Sequence, residues 1–70
     1  MKEITLEEAN KKPHTYMKCR GVMWSGTIIK LNKLTVRFQG QECDDNEGFI
    51  KNVRWTSFNE KRENVLFYDL

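Results

Sequence analysis

The sequence predicts a mainly β chain with one short N-terminal helix. Three observations predict it. A helix-capping pattern opens the chain and is cut short by Pro13. Beyond Pro13 the apolar residues repeat with a period of two rather than 3.6. Gly and Asn residues then punctuate the chain at short intervals, as turns require.

The helix is expected over residues 5–12. Thr5 and Glu8 stand at capping-box spacing. Glu7 and Glu8 lie in the first turn, where the helix dipole favours anions, and Lys11 and Lys12 lie at the end, where it favours cations. Pro13 has no N–H to continue the ladder. Ile4 and Ala9 would face the core, with Leu6 beside them.

The strands follow. In 15–20, Thr15, Met17 and Cys19 alternate with Tyr16, Lys18 and Arg20. Gly21 precedes Val22-Met23-Trp24, and Ser25-Gly26 reads as a turn. Residues 27–31 are β-branched and strand-like. Asn32-Lys33 has the length of a hairpin connection. In 34–39, Leu34, Val36 and Phe38 alternate with Thr35, Arg37 and Gln39, the pattern of a half-buried antiparallel strand. Residues 40–48 read as an acidic loop bracketed by glycines. Residues 49–56 read as a strand with Val53 and Trp55 inward and Arg54 outward. Residues 57–64 read as a polar connection, and 65–70 as the last strand.

Five short strands and a helix suit a small five-stranded antiparallel barrel or curved sheet of SH3-like or OB-like type, since closure removes exposed edges. At 70 residues this is expected to be a single small domain, spanning 1–70. A chain of this size buries only ~60% of its unfolded surface. It has no room for a separate cofactor domain.

Several classes of function are disfavoured. No run approaches the ~20 apolar residues of a membrane span. The Met1-Lys2-Glu3-Ile4 start has no apolar stretch of leader type, so a cytoplasmic location is expected. Cys19 and Cys43 are then expected to be unpaired thiols. The one histidine, His14, stands near Cys19, but no third residue marks a nucleophile–base–orienter set, and the expectation is a non-enzyme. Zinc needs four Cys/His ligands and only three such residues exist. The run Asp44-Asp45-Asn46-Glu47-Gly48 has calcium-loop flavour but the wrong register: counted from Asp44, position twelve is Trp55 instead of Glu. The glycines form no phosphate-binding motif. No cofactor and no metal are expected.

Charge layout says more than the net charge of +2. Between Ala9 and Gln41 stand Lys11, Lys12, Lys18, Arg20, Lys30, Lys33 and Arg37, with no acid among them. Glu42, Asp44, Asp45 and Glu47 follow at once. Outward phase on the predicted strands assigns Tyr16, Lys18, Arg20, Arg37 and Arg54 to one surface, provided those strands are neighbours. Cations with an aromatic among them suit a phosphate-bearing ligand with a stackable base. The first functional expectation is therefore a binding module for nucleic acid or a nucleotide. The alternative is a small inhibitor or adaptor, of the kind phages and mobile elements encode, that docks on a larger protein. Its contacts would be Trp24, Tyr68, Glu42, Asp44 and Asp45. A monomer and a small homo-oligomer are both compatible with these readings.

Overall fold

The computed structural model describes residues 1–70. It is mainly β, and its strands form one open antiparallel sheet rather than a closed barrel. There are six strands: β1 (Lys2–Ile4), β2 (Thr15–Cys19), β3 (Val22–Leu31), β4 (Thr35–Cys43), β5 (Thr56–Lys61) and β6 (Val65–Asp69). Their order in the sheet is β1-β6-β2-β3-β4-β5. β1 and β5 are the free edges. A single helix, α1 (Leu6–Asn10), follows β1, and a 3-10 turn (Arg62–Asn64) joins β5 to β6.

The local signals at the N-terminus act as expected. The Thr5 hydroxyl accepts from the Glu8 N–H at 3.1 Å, and the Glu8 carboxylate accepts from the Thr5 N–H at 3.1 Å. These bonds hold the Glu8 carboxyl below its usual range, the Thr5 backbone contributing most. The helix is shorter than 5–12, because Lys11 already caps it. Ile4 and Ala9 are both buried in the main core, with Leu6 packed against it.

That core lies on one face of the sheet. Met17, Cys19, Val36, Phe38, Val65 and Phe67 meet there, and Trp24, Ile28, Leu31 and Phe58 flank them. A second, smaller cluster of Tyr16, Met23 and Cys43 lies on the opposite face. The segment after β4 folds back over it. Asp44 Oδ1 accepts from the N–H groups of Asn46, Glu47 and Gly48 at 3.1, 2.8 and 2.9 Å, which curls that segment. Gly48, at φ +76°, then lies directly against the Tyr16 ring.

Several expectations are corrected. Ser25-Gly26 is not a turn. β3 runs straight through it, and Gly26 pairs with Gly40. A Cβ on Gly26 would stand 2.0 Å from the Gln39 carbonyl oxygen, so the glycine serves a close approach of two strands rather than a bend. Arg20 is not a strand residue. Arg20 (φ +53°) and Gly21 (φ +77°) form the two-residue connection between β2 and β3, with Cys19 paired to Val22. Two positive φ values are what a type I′ hairpin turn requires. The β3–β4 connection is Asn32–Leu34, and Leu34 is exposed rather than inward. Residues 49–55 form no strand beyond one bridge of Ile50 to Cys43. The strand that pairs with β4 is 56–61, read from sequence as part of a polar connection.

Candidate anion-binding surface

The side chains set by strand phase fall into two surfaces. Cross-strand partners share a face, so the register assigns each residue. Lys30 pairs with Arg37, and Arg37 pairs with Asn59. Lys61, two residues on from Asn59, pairs with Thr35. A bulge between Ile28 and Lys30 inserts one extra residue opposite β4. It turns Lys30 to the face opposite Phe38, beside Arg37. The result is a cationic surface of Lys30, Arg37 and Lys61 on the face away from the main core.

The hairpin tip and the 3-10 turn extend it. Lys33, Leu34, Thr35, Lys61, Arg62 and Glu63 line a pocket of about 420 Å³. Arg62 is anchored from both its backbone and its side chain. Its N–H donates to the Leu34 carbonyl at 3.0 Å, and its Nη2 donates to the Asn32 carbonyl. Its Nε is buried and has no hydrogen-bond partner. A buried donor without an acceptor costs ~1–3 kcal/mol, so this side chain is held in place at a cost to the fold. The ion pairs of the molecule are Lys12–Asp69, Lys18–Asp45, Arg20–Glu60 and Lys51–Glu42. None involves Lys30, Lys33, Arg37, Lys61 or Arg62. Glu63 is the one acid lining this pocket, and it too is free of an ion pair.

The five residues expected to share a surface do not come together. Tyr16 is only 7% exposed, under Gly48 and edge-on to His14 at 4.8 Å, so no base can stack on it. Burial, followed by the nearby charges of Cys43 and the acidic groups, pushes its phenol up. Lys18 donates to Asp45 at 2.9 Å, and that bond raises its ammonium above its ordinary range. Arg20 pairs through Nε with Glu60 at 2.8 Å. Arg54 is exposed on the segment between β4 and β5. Arg37 is half-buried on β4. Lys18 faces Met23 while Arg37 faces Lys30, seven residues further along β3, a separation of ~23 Å along the strand. Arg37 remains in a basic surface, but with different neighbours.

The residues of the alternative reading also separate. Trp24 is half-buried against the core, its ring 5.0 Å from that of Phe58. Tyr68 packs against the smaller cluster. Glu42 is paired with Lys51 and Asp45 with Lys18. Asp44 is engaged by backbone N–H groups, chiefly that of Glu47, which hold its carboxyl below its usual range. The exposed apolar residues lie elsewhere: Phe49, Ile50, Val53 and Trp55, the last two 79% and 58% exposed. Sequence phase placed Val53 and Trp55 inward. They stand outside because Ile50 lies opposite Cys43 and Thr56 opposite Gly40, so residues 51–55 span the place of only Gln41 and Glu42 and bulge away from β4.

Cys19 and Cys43 are free and buried, in different clusters on opposite faces of the sheet. Burial pushes both thiols up, Cys43 to about 11. No group of three His, Cys, Asp or Glu residues is placed to hold a metal ion. No helix is long and apolar enough to cross a membrane. Comparison with protein-family models, with curated proteins and with solved structures gives no match.

Lys61 and Arg62 were missed as site residues because 57–64 was read as a connection. The sequence carries little signal for them, because Phe58 is the one apolar residue in 57–64 and no period of two can show.

Proposed function

We propose that the protein is a non-enzymatic binding module for a phosphate-bearing ligand, a nucleic acid or a nucleotide, held at the β3–β4 hairpin end of the sheet. One observation carries this reading. Lys30, Lys33, Arg37, Lys61 and Arg62 converge there without a single ion-pair partner, while the cations elsewhere on the sheet include Lys18 and Arg20, which are paired. Cations on a frame of three paired strands, with the hairpin tip and the 3-10 turn, match phosphates at little ordering cost. Arg37 and Arg62 offer planar donor forks, and the lysines act as point charges. No aromatic residue is among them, so the contact is with phosphate and sugar rather than stacked bases.

The test is titration of a labelled 12-mer, single-stranded and duplex, and of a nucleoside triphosphate, at 50 and 200 mM salt. If about four phosphates are neutralised, affinity falls ~100-fold over that interval. Binding of the triphosphate alone assigns the nucleotide. No binding of any probe at 50 mM salt removes the reading.

A second reading has its own observation. Phe49, Ile50, Val53 and Trp55 are exposed within seven residues of chain, beside the free edge of β5. Exposed apolar clusters mark protein contacts. The protein would then dock on a larger partner through residues 49–55. Loss of partner binding in a Val53→Ser/Trp55→Ser variant, with oligonucleotide binding absent, would favour this reading over the first.

A further inference from the structure

A second pocket lies on the other face of the sheet, and β5 borders both sites, with Asn59 and Glu60 in this wall and Lys61 in the cationic one. It measures about 260 Å³ and is lined by residues of the β2–β3 turn, β3 and β5, among them Arg20, Trp24, Phe58 and Glu60. Its size falls below the ~300 Å³ at which ligand pockets begin, so it suits one side chain rather than a nucleotide.

Its chemistry is specific. Trp24 and Phe58 stand 5.0 Å apart with their rings inclined by 55°. Glu60 is 7% exposed and sits with them in the wall. Its Oε1 accepts from the Lys61 N–H at 3.1 Å, and its Oε2 pairs with Arg20 Nε at 2.8 Å. The Lys61 N–H, then Arg20, keep this carboxyl below its usual range, so it is charged at neutral pH. A buried carboxylate next to two aromatic rings favours a cation, which gains from both.

The chain itself shows which cation fits. Arg20 presents a guanidinium to Glu60, but through one bond, from a turn at positive φ, with its side chain 79% exposed. It occupies the rim and leaves the pocket open. The arginine's end of the pair is exposed and held by one bond, so Arg20 can leave while the buried Glu60 stays in place.

We propose that this pocket receives the guanidinium of an arginine presented by a protein partner. The incoming group stacks on Trp24 and Phe58, pairs with Glu60, and displaces Arg20. Arg20 is then a competitor built into the chain. It lowers apparent affinity by the fraction of time it holds Glu60.

The experiment uses the full chain with Trp55→Phe, so that Trp24 alone reports by fluorescence. The probes are acetyl-Gly-Arg-Gly-amide and its Gln counterpart. Arg20→Asn removes the competitor and keeps a residue that tolerates positive φ. In Arg20→Asn the Arg peptide is expected to shift Trp24 emission saturably, with affinity about fivefold above that with Arg20 present. The Gln peptide gives no saturable shift. Adding Glu60→Gln to Arg20→Asn lowers Arg-peptide affinity ~10-fold or more. Should Glu60→Gln fail to fold by circular dichroism, Phe58→Leu is the substitute. It keeps the apolar volume and removes a ring face, and it is expected to weaken the Arg peptide several-fold. Equal response to the Gln peptide, no response in Arg20→Asn, or an Arg response unchanged in both Glu60→Gln and Phe58→Leu overturns the proposal.

Discussion

The two ends of the β3–β4 hairpin carry opposite charge and use it in opposite ways. At one end Glu42, Asp44 and Asp45 are consumed internally. Asp45 holds Lys18, Glu42 holds Lys51, and Asp44 holds three backbone N–H groups. At the other end Lys30, Lys33, Arg37 and Lys61 have no acid within pairing distance. The difference teaches where binding capacity resides. Charge already spent on the fold reaches a ligand only by displacing its internal partner, as at Glu60 with Arg20, whereas unspent charge is offered without that cost. Acidic residues here build a loop over Tyr16. At the far end Arg62 ties the 3-10 turn to the hairpin, while the charges of Lys30, Lys33, Arg37 and Lys61 hold no acid of the fold.

The largest effect is expected where the two ends are joined. Gly26 and Gly40 pair midway along the hairpin, both buried. Gly26→Ala places a Cβ against the Gln39 backbone and is expected to cost ~3 kcal/mol or more, measured by urea denaturation. Gly21→Ala, where nothing lies near the Cβ but φ is +77°, should cost only ~1 kcal/mol. Equal losses would mean that backbone freedom, and not close approach, joins the two ends.

That glycine pair also marks the limit of what was legible. Thr5 with Glu8, and Val36 with Phe38, signal through neighbours three or two residues away, and each acts as expected. Gly26 was misread because Ser-Gly is a local turn signal, whereas its cause is Gly40, remote in the chain. Val53 and Trp55 alternate like strand residues, but alternation does not reveal that residues 51–55 have only Gln41 and Glu42 of β4 to lie against. Tyr16 does face away from the main core, as its phase required. It is buried because another segment covers that face, and a single strand's pattern carries no record of a cover. β1, three residues long, is too short to show a period. Arg37 lies on the face of β4 away from Val36 and Phe38, as strand phase requires. Its neighbours Lys30 and Lys61 depended on the bulge and on the β4–β5 register.

At the acidic end, pH separates the buried from the solvated groups. The Cys43 thiol is pushed up to about 11, chiefly by burial, and next by Asp44. The unfolded thiol ionises near 9, and the folded one holds its proton. Stability therefore falls as pH rises from about 9 to about 11, by up to about 2 kcal/mol. Cys43→Ala is expected to flatten that alkaline decline in denaturation midpoints, whatever its effect at pH 7. An unchanged slope would contradict the role of burial.

Asp44 gives a smaller effect of the opposite sign. Its carboxyl is lowered by the Glu47, Gly48 and Asn46 N–H groups. Its contribution is complete above the ordinary Asp value of 3.8 and is lost as pH falls through the lower folded value. Asp44→Asn should lower the Tm by a few degrees at pH 7 and reduce the acid sensitivity. Exchange of the Gly48 amide should become faster.

At the basic end the expected change in stability is the smallest. Lys61→Glu, at an exposed strand position, should alter unfolding free energy by under ~0.5 kcal/mol, and Arg37→Glu, at a half-buried one, by no more than about 1 kcal/mol. Their effect should appear in binding instead. A large stability loss in Arg37→Glu would show that this charge, too, is spent on the fold.

The most direct test of unspent charge is an amide chemical-shift titration of the labelled protein with a 12-mer duplex at 50 mM salt, repeated with the nucleoside triphosphate. The account predicts saturable shifts at Lys30, Lys33, Arg37, Lys61 and Arg62, with Lys18, Asp44 and Asp45 unmoved. Shifts concentrated at Lys18 and the acidic loop, or no shift anywhere with either ligand, would contradict it.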